Sequence, residues 1–133
     1  MIQKIYKELS PIEKARKYYA LLFLLNDIHV PDKEISLVAF SALNGSLTSP
    51  PIRSRFISLF NSSEGSVYNM MSNLQKKGIL VKDEDRKIRV HSDILLPFNE
   101  HVLLNILLTT PHETNRHDKE GAQQTVEFAS QGY

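Results

Sequence analysis

The stretch from Asn61 to Val90, NSSEGSVYNMMSNLQKKGILVKDEDRKIRV, constrains the fold more than any other part of the chain. It reads as a polar turn, one amphipathic helix, a glycine stop and a charged hairpin. Ser62 or Ser63 can cap the helix, because a serine hydroxyl accepts backbone N–H groups that the first turn leaves unpaired. Val67, Met70, Met71 and Leu74 then fall at i, i+3, i+4 and i+7, the spacing that gathers apolar side chains on one helix face. The helix is expected to run to Lys77, with Lys76 and Lys77 complementing the negative end of its dipole, and to stop at Gly78. Ile79-Leu80-Val81 reads as a strand and KDEDR as a tight turn. Lys87 to His91 returns, its Ile88 and Val90 alternating with Lys87, Arg89 and His91 at the period of two of a half-buried strand.

The flanking sequence is helical by the same reasoning. Ser10-Pro11-Ile12-Glu13 combines a capping box with a proline where no donor is needed. The helix it opens should reach about Asp27, with Ile12, Ala15, Tyr19 and Leu22 on one face. Its second half contains Tyr18 to Leu25 (YYALLFLL), apolar nearly all round, which suits a core or a subunit interface. That run is far shorter than the roughly 20 residues that span a bilayer. MIQKIYKELS lacks the apolar core of a signal peptide, so no membrane partner is expected.

Pro31-Asp32 opens a second helix through about Leu43, with Ile35, Val38, Ala39 and Ala42 inward and Asn44-Gly45 as its end. After Pro50-Pro51 a short helix, IRSRFISLF, offers Ile52, Phe56, Leu59 and Phe60 as a buried stripe. Past Pro97, Asn99 can cap a last apolar helix, EHVLLNILL. From about Thr110 the chain has little periodic apolar content and is expected to be an arm or tail. The division is therefore a flanking helix (1–30), a central domain (31–96), a second flanking helix (97–110) and a polar tail (111–133).

Charge is distributed unevenly. Residues 50–91 carry eight Lys/Arg against four Asp/Glu, a net of +4, whereas residues 92–133 carry two against six, a net of −4. Such asymmetry bears on partners rather than on fold. Cysteine is absent, which excludes disulfides and thiolate metal sites and suits a cytoplasmic protein or one inside or on a virus particle.

Short helix, polar turn, amphipathic helix, then Lys76-Lys77-Gly78 with Ile79-Leu80-Val81 and a charged hairpin: this order resembles the winged helix-turn-helix family. Within it the likeness is to regulators of the multiple-antibiotic-resistance type and to replication initiators. Ser66 to Asn69, Leu74 to Val81 and Asp83 to Val90 carry the resemblance, which spans roughly residues 35–92. It implies a mainly α fold with a β-hairpin wing, flanking helices and a C-terminal arm. It also implies double-stranded DNA as partner and a helix from Ser63 to Asn73 in the major groove, where side chains meet base edges. Asn69 aligns with a base-contacting position of the family, and asparagine can pair with adenine through two hydrogen bonds. Ser63, Ser66, Tyr68, Ser72, Asn73 and Lys76 share its exposed surface. Arg86, Lys87 and Arg89 would form the wing, and Arg53 and Arg55 would hold phosphates. The plain alternative for all of these is a solvated, charged surface.

Three features point to a second class, a non-enzymatic assembly protein such as a viral connector or ring component, or another subunit of a large complex. The outward face of the central helix has no arginine, and Glu64 stands in its first turn. The hairpin tip, Asp83-Glu84-Asp85, is acidic. The flanking segments are apolar. In both classes a homo-oligomer is expected, with Leu21, Leu25, Leu103, Leu107, Val126 and Phe128 as contacts.

Enzyme chemistry has no support in the motifs. GxxxxGK[ST], GxGxxG and GxSxG are all missing, and no cofactor or catalytic residue is indicated. His112-Glu113 with His117 is spaced HExxxH. Five residues turn a helix by about 500°, so the imidazoles diverge and no metal site is expected.

Overall fold

The structure is a computed structural model that describes residues 8–111 in full and the backbone of residues 125–131. The chain divides into two compact units, Met1–Phe98 and Asn99–Tyr133. The described residues are mainly helical, with small antiparallel sheets.

In the first unit, helix α1 (Pro11–Leu25) starts on the expected capping box. The Ser10 hydroxyl accepts the Glu13 N–H at 3.4 Å, and Glu13 Oε1 accepts the Ser10 N–H at 3.4 Å. Ala15, Tyr18, Tyr19 and Phe23 are its buried face, while Ile12 and Leu22 are only half-buried. The Tyr19 hydroxyl donates to the Ile94 carbonyl at 2.8 Å. Phe98 packs on both tyrosines with ring centroids 5.6 Å apart, so α1 is pinned to the segment that follows the hairpin.

Helix α2 (Asp32–Asn44) is the centre of the unit. It touches α1, α3 (Pro50–Leu59), α4 (Glu64–Lys76) and strand β2 (Ile88–Val90). Every position from Glu34 to Ser41 is buried as a result, well beyond the single stripe expected from its spacing; Ala42 is only half-buried. Gly45 ends it at φ 101°, a backbone that side-chain-bearing residues rarely adopt. The loop from Ser46 to Ser49 then runs beside β2, with the Ser46 hydroxyl donating to the Ile88 carbonyl at 2.7 Å.

Helix α3 buries Phe56, which stacks on Phe60 at 4.8 Å and meets Phe40 edge-on at 5.5 Å. Leu59, expected in this stripe, is 68% exposed. Ile52 and Phe60, also expected there, are half-buried, and the chain then turns away through Asn61 at φ 50°.

Ser63 is the cap of α4, accepting the Ser66 N–H at 3.2 Å. Val67, Met70, Met71 and Leu74 are buried as expected. Each contributes about 1.5–3 kcal/mol by leaving water. The helix ends one residue before the expected Lys77, in a Schellman arrangement: Ile79 N–H donates to Leu74 O at 3.0 Å and Gly78 N–H to Gln75 O at 3.0 Å, with Gly78 at φ 76°. Strand β1 (Leu80–Lys82) pairs antiparallel with β2 in the register Leu80↔Val90, Val81↔Arg89, Lys82↔Ile88.

The second unit corrects the sequence reading. The segment expected as a helix with Leu103 and Leu107 is strand β3 (His101–Leu107), and it pairs antiparallel with β4 (Thr125–Gln131). Part of the expected tail is therefore the partner of the apolar run. The register sets Leu104 opposite Phe128 and Ile106 opposite Val126. A run of valine, leucine and isoleucine satisfies either structure by composition; a strand partner decides it.

Candidate nucleic-acid interface

Helix α4 turns its unburied side outward. At about 100° per residue, Asn69, Ser72, Asn73 and Lys76 fall within an arc of roughly 100° opposite the buried stripe. All four are exposed, as is Ser63 at the cap, and Tyr68 flanks the arc at 52% exposure. Ser66 is half-buried at the edge. The helix has one carboxylate, Glu64, and its position is settled by Arg53.

Arg53 is not a free phosphate holder. Its side chain is 12% exposed; Nε donates to Glu64 Oε1 at 3.1 Å, and one terminal nitrogen donates to the Leu47 carbonyl at 3.0 Å and the Thr48 carbonyl at 3.3 Å. Its guanidinium lies 5.2 Å from the Tyr68 ring centroid. One side chain thus ties the loop before α3 to the first turn of α4 and neutralises the acid there. Arg55 is exposed, donates to Asn44 Oδ1 at 3.3 Å and lies over Phe40.

The hairpin tip has a similar internal logic. Asp83 Oδ1 accepts the Lys87 N–H at 2.9 Å and Oδ2 accepts Arg89 Nε at 2.7 Å. The Lys87 N–H, then Arg89, hold the Asp83 carboxyl below the usual carboxylate range. The turn closes through the Arg86 N–H to Asp83 O at 3.0 Å, with Arg86 in the left-handed region at φ 62°. Asp83 therefore organises the turn, and Arg89 is committed to it. Of the cations expected to face a partner, the side chains of Arg55, Lys76, Arg86 and Lys87 have no ion pair among the described residues.

Lys77, read from sequence as helix-end electrostatics, also bridges elements. Its Nζ donates to the His29 carbonyl at 2.6 Å and stands 3.9 Å from the buried Glu34 carboxylate, anchoring the end of α4 to the α1–α2 loop. Gly65 was missed in the sequence. It lies at α4's outward first turn, and a Cβ there would meet nothing within 4 Å, so internal packing does not demand a glycine. A bare backbone beside an exposed polar face was the available signal.

No protein-family model, curated protein or solved structure matches the chain. The geometry carries the reading alone.

Of the expected contact residues, Leu21 and Leu25 are half-buried on α1. Leu103 and Leu107 are 44% and 60% exposed on β3. Val126 and Phe128 lie on β4 by backbone alone, their side chains outside the described residues. His112, Glu113 and His117 also fall outside them. Among the described residues no cluster of metal-ligating side chains occurs, and no helix is long and apolar enough to cross a membrane.

Proposed function

We propose that the chain is a DNA-binding protein of winged helix-turn-helix type, a small regulator or replication accessory that acts as a dimer. The observation that carries this reading is the outward arc of α4. It presents Asn69, Ser72, Asn73 and Lys76 on a helix braced by a fully buried opposite face, and its only acid is neutralised by Arg53. Amide and hydroxyl groups of this kind read base edges, and a lysine at the end of the arc suits a phosphate. Glu64 is paired, and Asp83 shapes the hairpin so that Arg86 and Lys87 remain for backbone contact.

Fluorescence anisotropy on mixed-sequence duplex DNA at low and physiological salt tests the proposal. Binding is expected to fall steeply with salt. Asn69→Ala should relax sequence preference, whereas Lys87→Ala should weaken all sequences alike and reduce the salt slope by about one. Absence of binding at low salt refutes it.

A second reading has one specific observation in its favour. Leu103, Ile106, Leu107 and Leu108 are 40–63% exposed on or just after β3, in a two-stranded ribbon that is marginal in water without cover. An assembly protein would bury this ribbon on a neighbouring subunit. Deleting residues 112–133 removes β4 and should abolish assembly in light scattering; a truncated chain of unchanged particle mass excludes that role.

A further inference from the structure

Between α2, the end of α3 and the first turns of α4 lies a cleft of about 290 Å³. Ser36 lines it and is 6% exposed, yet its hydroxyl has no hydrogen-bond partner among the described residues. A hydroxyl on the wall of a cleft is a ready donor to an acceptor that enters it. Further donors converge on the same space. Ser62, Ser63 and Ser66 line it at the positive end of the α4 dipole, and Lys33 supplies a full charge, with no ion pair among the described residues. No carboxylate lines the cleft, and Glu64, next to Ser63, directs its carboxylate to Arg53. Asn61 also lines the cleft, and Phe56, Phe60 and Met70 supply its apolar wall.

Hydroxyls approaching from α2 and α4 with one ammonium suit an anion with several acceptor oxygens, as phosphate has. The volume exceeds what a bare ion fills and lies at the small end of ligand pockets. We propose that this cleft binds a small organic phosphate, its oxyanion on Lys33, Ser36 and the first turn of α4 and its apolar part against Phe60 and Met70. The site does not depend on the DNA reading.

Isothermal titration of the full chain with phenyl phosphate tests it, with inorganic phosphate and benzyl alcohol as separate arms. Phenyl phosphate is expected to saturate one site per chain and to bind more tightly than either comparison compound. Ser36→Ala and Lys33→Gln should each weaken it about tenfold, while Ser54→Ala, on the exposed side of α3, leaves it unchanged. Circular dichroism melts of the three variants confirm that each is folded. Silence at millimolar phenyl phosphate overturns the proposal, as does affinity indifferent to both cleft substitutions. Equal binding of benzyl alcohol overturns the oxyanion contacts, and equal binding of inorganic phosphate overturns the organic ligand.

Discussion

Replacing Arg53 by methionine separates a structural arginine from one that waits for a phosphate. Methionine keeps most of the apolar stem but deletes the guanidinium, leaving the carbonyls of Leu47 and Thr48 without its hydrogen bonds. The bond to Leu47 O, at 3.0 Å on a residue 1% exposed, is the main loss. A hydrogen bond to a charged group contributes about 1.5–3 kcal/mol, and the longer one to Thr48 O adds less. The Glu64 pair adds no more than about 1 kcal/mol, because that carboxylate is 56% exposed and screened. Contact with the Tyr68 ring adds about 0.5–1 kcal/mol. Partial desolvation of the guanidinium offsets some of this, so the expected net loss is about 2–4 kcal/mol. Urea denaturation without DNA measures it directly, with Glu64→Gln as a control expected to lose less than about 1 kcal/mol. An Arg53→Met variant within about 0.5 kcal/mol of the parent refutes the reasoning and returns Arg53 to the pool of cations free to meet a phosphate.

Arg86→Gly should stabilise the chain by about 0.5–1 kcal/mol in the same assay, because glycine occupies φ 62° without the penalty an L side chain meets there. Tyr19→Phe should cost about 1–2 kcal/mol near neutral pH by leaving the Ile94 carbonyl unpaired. Burial first, then the neighbouring Tyr18, raises the Tyr19 hydroxyl above the ordinary tyrosine range, so its contribution is complete below that range and lost as pH climbs through it; the phenylalanine variant should show a shallower alkaline loss. Asp83 has the opposite sign. Its lowered value means that its contribution is present above the usual carboxylate range and disappears as pH falls through the folded value, so Asp83→Asn should flatten the acid limb of a stability–pH profile.

The local elements were legible in the sequence wherever one residue type admits few backbones. Ser10 with Glu13, Pro50-Pro51, Gly45 and Gly78 mark helix ends through groups a few residues apart, and each mark agrees with the structure. The buried stripe of α4 was equally plain, since period 3.6 needs no knowledge of what covers it. Candidate site residues on that helix followed by subtraction: what is not buried faces out.

Two things lay beyond that reach. The run from His101 to Leu107 has apolar content for a helix or a strand, and its hydrogen-bonding partner begins at Thr125. Only pairing with β4 decides between them, because a strand obtains its backbone hydrogen bonds from elsewhere in the chain. The charges behaved likewise. Composition counts Arg53, Arg89, Glu64 and Asp83 as a net charge, but the fold places each cation within 3.1 Å of an acid and so pairs the charges off, with Glu64 and Arg89 still about half exposed. Local sequence determined where the chain turns and which face of α4 is apolar; tertiary structure decided the strand, whose partner is distant in sequence, and which cations stay free, because an acid comes within reach of Arg53 or Arg89 only through the turn that folds it back.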